Sequence, residues 1–230
     1  MRKIFFWVII ILCVVSGCNM QSEAGVNYTI NYDSFIQSGF SHEYVQISGL
    51  DDKTISTKVN DQLKRAATAW VYKYPNISHS TPERPYVHYQ SNNLLSVGNT
   101  FEFSGRKYIY SRIHITINLK TGEIMKLNDI VKMDNAFINL IKNGDIVRAA
   151  GGADDTEILD ANLRVKLEEM PINDFLEIIN RCSQNIDITG ALDNCFFLEG
   201  ECIVIKINDS WVNDILIPFE AIKEYIKVEL

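Results

Sequence analysis

The clearest helical pattern in the chain covers residues 51–72. Its apolar residues are separated by four, four, three and four positions, and they are Ile55, Val59, Leu63, Ala66 and Trp70. This spacing puts all of them on one face of a helix. Asp51 or Asp52 can cap the first turn, and Pro75 follows the last one. The pattern therefore predicts an amphipathic helix with one buried face.

An alternating pattern in residues 86–119 predicts antiparallel strands, with turns at residues 104–105 and 120–123. One face of the last strand carries apolar side chains, which are Ile109, Ile113, Ile115, Ile117 and Leu119. The other face carries Tyr108, Tyr110, Arg112, His114, Thr116 and Asn118. A period of two is typical of a strand with one face on a core. We therefore expect the second face to meet water or a partner.

The remaining patterns are shorter, and strands and helices are mixed among them. They fall at residues 28–47 (one or two strands), 127–141 (helix), 160–182 (helix interrupted near Pro171), 195–207 (hairpin) and 220–227 (short helix). The turn of the hairpin is predicted at Glu199-Gly200. The regular alternation of strand and helix that builds a parallel sheet is absent from the pattern. The sequence thus predicts an α+β fold, an antiparallel sheet with helices packed on one face.

The N-terminus has the pattern of a bacterial export signal. Arg2 and Lys3 precede an apolar run at residues 4–15, and small residues then lead to Cys18. The run is shorter than the roughly 20 apolar residues that cross a bilayer core, so a signal peptide is the better interpretation. The ending Val15-Ser16-Gly17-Cys18 resembles a lipobox, in which the cysteine receives diacylglycerol and becomes the new N-terminus. The alternative is an ordinary signal peptide with a chance cysteine.

A lipidated Cys18 would divide the chain into a signal peptide at residues 1–17, a tether at residues 18–27 and an exported remainder. We therefore expect a protein that is anchored by lipid to a cell membrane and faces outward. Only three residues precede the apolar run, so no cytoplasmic domain is expected.

Composition and charge exclude one class of partner. The chain is 47% hydrophobic and 22% charged, as is typical of a globular protein. Its formal net charge is -7. Binding to nucleic acid through phosphate contacts needs a basic face, so no nucleic-acid partner is expected.

Besides the lipidated Cys18, three cysteines would remain after export, and they are Cys182, Cys195 and Cys202. In an oxidising compartment at most one internal disulfide can form among them. A two-residue turn at Glu199-Gly200 would put Cys202 opposite Phe197 rather than Cys195, so a Cys182–Cys195 bond is favoured. No spacing typical of a zinc site is present, and neither a metal nor a cofactor is expected.

Three phrases of the sequence, in this order, resemble a known extracellular module. They are Tyr44-Val45-Gln46-Ile47-Ser48-Gly49-Leu50 before a helix bearing Val59-Asn60, the Thr121-Gly122 turn before Leu127-Asn128-Asp129, and the last hairpin before Ile217-Pro218-Phe219. Together they resemble the module shared by RsiV-type anti-sigma factors and PdaC-type peptidoglycan deacetylases. The resemblance covers residues 40–228. Residues 103–108 lack the histidine that a loop of this family often carries.

The resemblance implies a PdaC-like half at residues 28–125 and an RsiV-like half at residues 126–230. RsiV-type modules bind lysozyme, so it also implies a protein- or wall-binding role, with lysozyme or peptidoglycan fragments as partners. The separate catalytic domain of the deacetylases and the cytoplasmic segment of the anti-sigma factors are not expected in this chain.

The polar face of the predicted sheet supplies the candidate binding residues. They are Tyr108, Tyr110, Arg112 and His114, with Trp211 as a further candidate. Tyrosine, tryptophan and arginine are the residues that most often anchor interfaces. The alternative is that these aromatic residues only stabilise the sheet or lie beneath a helix.

Candidate catalytic residues are few. Among the histidines His42, His79, His88 and His114, the pair His88 and His114 could meet on neighbouring strands, although sheet-face histidines without a function are commoner. Acidic residues at 154–160 could hold calcium, but they depart from the EF-hand pattern, and a solvated loop is the simpler interpretation. No nucleophile elbow or phosphate-binding glycine loop is present. We expect a binding module without catalysis; the alternatives are a glycan- or peptidoglycan-acting enzyme with an unrecognised site, and an accessory subunit.

Overall fold

The computed structural model describes residues 25–37, 40–73, 80–82, 84–103, 109–143, 146–149, 156–182, 196–206 and 214–230. The strands within these residues are β1 (Thr29–Gln37), β2 (Phe40–Ser48), β3 (Ser80–Pro82), β4 (Tyr86–Gln90), β5 (Leu94–Phe103), β6 (Ile109–Asn118), β7 (Arg148–Ala149), β8 (Phe196–Glu199), β9 (Cys202–Ile205) and β10 (Ile215–Pro218). The helices are α1 (Lys53–Lys73), α2 (Leu127–Ile130), α3 (Asn135–Lys142), α4 (Thr156–Glu169), α5 (Ile172–Cys182) and a 3₁₀ helix (Phe219–Tyr225).

Strand β5 is the centre of an antiparallel sheet. Strand β6 pairs with it along its whole length. Strands β3 and β4 pair with its other edge, one after the other. The pairing of β4 shifts between Val87 and Tyr89. Such a bulge redirects a side chain, and here the extra residue is His88.

Helix α1 and the β1–β2 hairpin cover one face of this central sheet. The buried side chains between them form a first core, which includes Tyr28, Val45, Ile47, Val59, Leu63, Ala66, Leu95, Val97, Ile113, Ile115 and Ile117. The predicted apolar face of α1 is confirmed at Val59, Leu63 and Ala66, whereas Ile55 is half-buried and the side chain of Trp70 lies outside the described residues. Asp52 Oδ1 accepts hydrogen bonds from the backbone N–H of Thr54 at 2.8 Å and of Ile55 at 3.1 Å, which confirms its predicted capping role.

Asn60 joins α1 to strand β2 through the backbone of Ile47. The amide Oδ1 accepts from the Ile47 N–H at 2.8 Å, and the amide Nδ2 donates to the Ile47 carbonyl at 3.0 Å. The side chain therefore pairs with β2 as a neighbouring strand would. This contact gives a structural reason for an asparagine at this point of the helix.

Strands β7 to β10 form a second antiparallel sheet in the order β7-β10-β9-β8. Helices α2 to α5 pack with it around a second core, which includes Leu127, Ile130, Phe137, Ile141, Leu163, Leu167, Phe175, Ile179, Leu198, Ile203, Ile215 and Ile217. Pro171 separates α4 from α5, and its carbonyl accepts from the N–H groups of Asp174 and Phe175. The predicted division of the chain at residues 125 and 126 stays a prediction.

Strand β8 covers part of the polar face of the central sheet. Ser96 Oγ accepts from the Leu198 N–H at 3.2 Å and lies 3.1 Å from Thr116 Oγ1. Ser96, Thr116 and His114 are at most 3% exposed. The prediction that this face meets water or a partner is therefore wrong where β8 lies on it. Alternation within a strand cannot show which distant segment packs on its polar side.

The predicted class is confirmed: the fold is α+β with antiparallel sheets, and α1 packs on one face of the central sheet. One turn differs from its prediction. The last hairpin turns at Gly200-Glu201, one residue late, so that Cys202 pairs with Glu199 rather than with Phe197. Gly200 has a φ of +53°, and the tight turns of hairpins need a positive φ at this first loop position.

Candidate functional site

Only part of the predicted binding face lies within the described residues. Tyr110 and Arg112 belong to β6, whereas Tyr108 and Trp211 lie outside the part of the chain that the structure describes. His114 is buried beneath β8, so a partner could contact it only if β8 moved. A binding role for these residues stays a prediction.

His88 and His114 come together, as the sequence suggested, but across a strand rather than on neighbouring strands. Their ring centroids are 5.0 Å apart, and Gly98 of β5 lies between β4 and β6 at this level. A Cβ atom on Gly98 would lie 2.4 Å from His88 Nε2 and 3.0 Å from His114 Nδ1. Both distances are shorter than normal contacts, so the missing side chain of glycine makes room for the two rings.

Two residues of β8 complete this histidine cluster. The Phe197 ring stacks on His114, with centroids 4.0 Å apart and an interplanar angle of 13°, and lies 4.7 Å from the His88 ring. Glu199 Oε1 lies 3.1 Å from His88 Nδ1. The histidine cluster, defined as His88, Gly98, His114, Phe197 and Glu199, thus connects β8 to the central sheet. A histidine oriented by a carboxylate is also an arrangement that can exchange protons.

An open cleft with a volume of about 840 Å³ adjoins the histidine cluster at His88. It is lined by residues 87–93, Gly25 and Val26, Ile30 of β1, the Gly200-Glu201 turn, Phe219, Glu229 and Leu230. Ligand sites are concave regions of roughly 300–1,000 Å³ with a few convergent polar groups. This cleft is the candidate binding site.

Two asparagines of the turn between β4 and β5 hold residues 25–27 and Glu229 at the cleft. Asn92 Oδ1 accepts from the Asn27 N–H at 2.8 Å, and Asn92 Nδ2 donates to the Gly25 carbonyl at 2.8 Å. Asn93 Nδ2 donates to the Glu229 carbonyl at 3.3 Å and to Glu229 Oε2 at 3.0 Å. The walls of the cleft are therefore tied to one turn by side-chain hydrogen bonds.

Two side chains that line the cleft, an amide and a carboxylate, are available to hydrogen-bond a ligand. Gln90 is half-buried and Glu201 is exposed, and the side chain of neither is hydrogen-bonded to a described residue. Tyr89 and Phe219 lie beside them with ring centroids 5.9 Å apart at 88°. Among the described lining residues, none is lysine or arginine. The cleft thus offers hydrogen bonds and aromatic surface, and its charge is acidic.

Tyr28 is a buried polar residue of the neighbouring first core. Burial raises the pKa of its phenol, and the nearby Tyr89 adds to the shift. The hydroxyl is enclosed and finds no hydrogen-bond partner among the described residues. Tyr28 therefore stays protonated over the physiological range and acts as a packing residue.

The predicted disulfide and lipid anchor lie partly or wholly outside the described residues. Within the described ranges, no group of three or more His, Cys, Asp or Glu side chains is arranged to hold a metal ion. Cys182 is buried, with its Sγ 3.3 Å from the Ile178 carbonyl. Its favoured partner Cys195 lies outside the described residues, as do Cys18 and the acidic residues at 154 and 155. The disulfide and the lipidation stay predictions.

No helix in the described part of the chain is long and apolar enough to cross a membrane.

No local pattern in the sequence indicates the cleft, because its lining comes from separate parts of the chain. No pattern in the sequence singled out Asn92 or Asn93. Their contacts with Gly25 and Glu229 span 67 and 136 positions of sequence. Only folding brings these groups together.

Comparison with known proteins gives a structural likeness alone. No family model matches the chain, and no curated protein matches its sequence. A DUF3298 family protein from Pseudomonas aeruginosa PAO1 has a similar structure, with a TM-score of 0.47 and 11% identity over 88% of this chain and 94% of that one. A DUF3298 family member from Bacteroides fragilis NCTC 9343 aligns with a TM-score of 0.43 and 13% identity over 87% and 92%. Both of these structures are members of DUF3298, the domain family found in RsiV- and PdaC-type proteins.

Proposed function

We propose that this protein is a lipid-anchored binding module of the cell envelope, which recognises lysozyme or a peptidoglycan-related ligand without catalysis. The observation that carries the proposal is the cleft of about 840 Å³ beside β4, whose walls are tied together by Asn92 and Asn93. A cleft with fixed walls suits binding, because little conformational entropy is lost when the ligand enters.

The anchor in this proposal rests on the N-terminal pattern that ends at Cys18. Gly25, at the rim of the cleft, is seven positions after Cys18. A fully extended chain spans at most about 3.5 Å per residue, or about 25 Å over this distance. A lipidated Cys18 would therefore keep the cleft close to the membrane surface.

The charge of the chain supports a cationic or neutral partner. The net charge is -7, and Glu201 and Glu229 line the cleft. An acidic surface accelerates the approach of a basic protein such as lysozyme, and this steering weakens as salt is added. The resemblance to RsiV-type modules, which bind lysozyme, points to the same partner.

One site that the alternative, a glycan- or peptidoglycan-acting enzyme, could use is the histidine cluster. A general base must bring a ring nitrogen within hydrogen-bond distance of the substrate. His88 Nδ1 is beside Glu199, and His88 Nε2 lies against Gly98. Because both nitrogens of this ring are directed at protein groups, binding is the better supported function.

Calorimetry on residues 19–230, which include every described residue, would test the proposal. Lysozyme and soluble muropeptides would be titrated separately at about 0.02 M and about 0.15 M salt. We expect heat of binding with at least one of them, and weaker lysozyme binding at the higher salt. Absence of heat with both ligands at high micromolar concentration would contradict the proposal.

A second arm would test the enzymatic alternative directly. The same protein and its His88→Ala variant would be incubated with cell-wall preparations, and released sugars and peptides would be measured. Release by the wild type that disappears in His88→Ala would favour the enzyme over the binding module.

A further inference from the structure

Resting on the proposed function, we infer that the cleft binds a saccharide whose rings are neutral or carry an amino group, and that Gln90 and Glu201 hold its hydroxyl groups. The inference goes beyond a general binding role because it names the class of ligand, the site and two residues that contact the ligand.

The charge of the lining excludes anionic ligands first. Glu201 and Glu229 contribute carboxylates, and no described lining residue is lysine or arginine. Glu229 lies 3.7 Å from Lys120 in an exposed pair, so Glu201 is the lining carboxylate that has no cationic partner among the described residues. A phosphate or carboxylate group would be repelled here, whereas a hydroxyl or an ammonium group would be attracted.

The hydrogen-bonding groups then favour hydroxyl groups. A sugar hydroxyl donates one hydrogen bond and accepts others. Adjacent hydroxyls are therefore bound best by protein side chains that include both donors and acceptors. The Gln90 amide does both, and the Glu201 carboxylate accepts. Neither side chain is engaged by another described residue, so binding would not first have to break an internal hydrogen bond.

The aromatic residues supply the apolar part of the site. The rings of Tyr89 and Phe219 are nearly perpendicular, with centroids 5.9 Å apart, and both residues are half-buried. A sugar ring has C–H groups on its faces, and an aromatic ring can bury such a face without requiring a charge. An amide, a carboxylate and aromatic rings around one cleft together match a saccharide better than a long apolar chain or an anion.

Calorimetry with saccharides of defined charge would test this inference on residues 19–230. The probes are a tetramer of N-acetylglucosamine, the corresponding glucosamine tetramer and, as the anionic control, a hyaluronan tetrasaccharide. We expect one or both of the first two to bind, and the hyaluronan tetrasaccharide to bind at least about tenfold more weakly.

Two cleft variants and one control locate the bound sugar. Gln90→Ala and Glu201→Gln should each raise the dissociation constant about tenfold. This is the effect expected when a ligand loses one hydrogen bond to a charged or strongly polar group. Glu177→Gln removes an exposed carboxylate of α5 outside the cleft and should leave the affinity unchanged. An unchanged urea midpoint would show that each variant is folded.

The outcomes separate this inference from the proposed function. Binding of lysozyme or muropeptides that persists while both amino-sugar tetramers fail to bind would overturn the saccharide site and leave the proposed function standing. Tetramer binding that is insensitive to both cleft variants would also overturn it, since the sugar would then bind elsewhere. Loss of all binding, including lysozyme and muropeptides, would overturn both.

Discussion

Gly98 gives the sharpest test of the packing between β8 and the central sheet. A Cβ atom at this position would lie 2.4 Å from His88 Nε2, so the His88 ring would have to move by about 1 Å to regain a normal contact distance. That movement disturbs the contact of 4.7 Å between the His88 and Phe197 rings and the 3.1 Å contact with Glu199. Gly98→Ala is therefore expected to loosen β8.

The expected cost of Gly98→Ala can be worked from two destabilising effects and one stabilising effect. Forcing an extra methyl group into a packed site costs about 1–3 kcal/mol. The hydrogen bond between His88 and Glu199 contributes about 1 kcal/mol, which is lost if the ring moves away. Replacing glycine by alanine restricts the unfolded chain and returns about 0.4–1 kcal/mol. The net destabilisation should be about 2 kcal/mol, or about 4–8 °C in Tm for a chain of this size.

A double-mutant cycle in urea would measure this clash. We would compare the wild type, Gly98→Ala, His88→Ala and the double variant by urea unfolding. The four proteins should share one m-value, the slope of the unfolding free energy against urea concentration. His88→Ala removes the ring that a Cβ would strike, so Gly98→Ala should cost at least about 1 kcal/mol less in that background. If Gly98→Ala costs the same in the wild-type and His88→Ala backgrounds within about 0.5 kcal/mol, the proposed clash with His88 is refuted.

Three further predictions concern other parts of the chain. Asn60→Ala should lower the free energy of unfolding by about 2–3 kcal/mol, because the buried backbone N–H and C=O of Ile47 both lose their partner; a change below about 0.5 kcal/mol in urea unfolding would contradict this. Burial lowers the pKa of His42 below its usual 6.5, so the unfolded chain binds this proton more readily and stability should fall as the pH drops through about 6.5. His42→Phe, which keeps a ring next to Phe35, should reduce this loss between about pH 7.5 and about pH 5.5, and equal pH dependence in the two proteins would count against the burial of His42 as its cause. Cys18→Ser should abolish lipid attachment and move the protein from the membrane fraction to the soluble one, as judged by fractionation and mass spectrometry; an unchanged distribution and mass would argue against the lipobox.

Local patterns in the sequence predicted the elements that depend on periodic burial or on helix capping. The spacing of Val59, Leu63 and Ala66 predicted the buried face of α1, and Asp52 predicted its start. The alternation in Ile113, Ile115 and Ile117 predicted a strand with one face on the core. These predictions succeeded because periodicity and capping depend on residues a few positions apart.

The shortest elements were harder to predict. Strand β7 has two residues and β10 has four, which is too short for a periodic pattern to emerge. The turn at Gly200-Glu201 was displaced by one residue, because the sequence did not reveal that Gly200 takes the first loop position with a positive φ.

The amino-acid sequence by itself determined the α+β class, the amphipathic face of α1 and the pattern that predicts export and lipidation at Cys18. The tertiary structure alone decided that β8 covers the polar side of the central sheet and that His88 meets His114 over Gly98. It also decided that Asn92 and Asn93 connect Gly25 and Glu229 to one cleft. The physical reason is the same in each case: these contacts join segments far apart in the chain, and periodicity reports only the immediate neighbourhood of a residue.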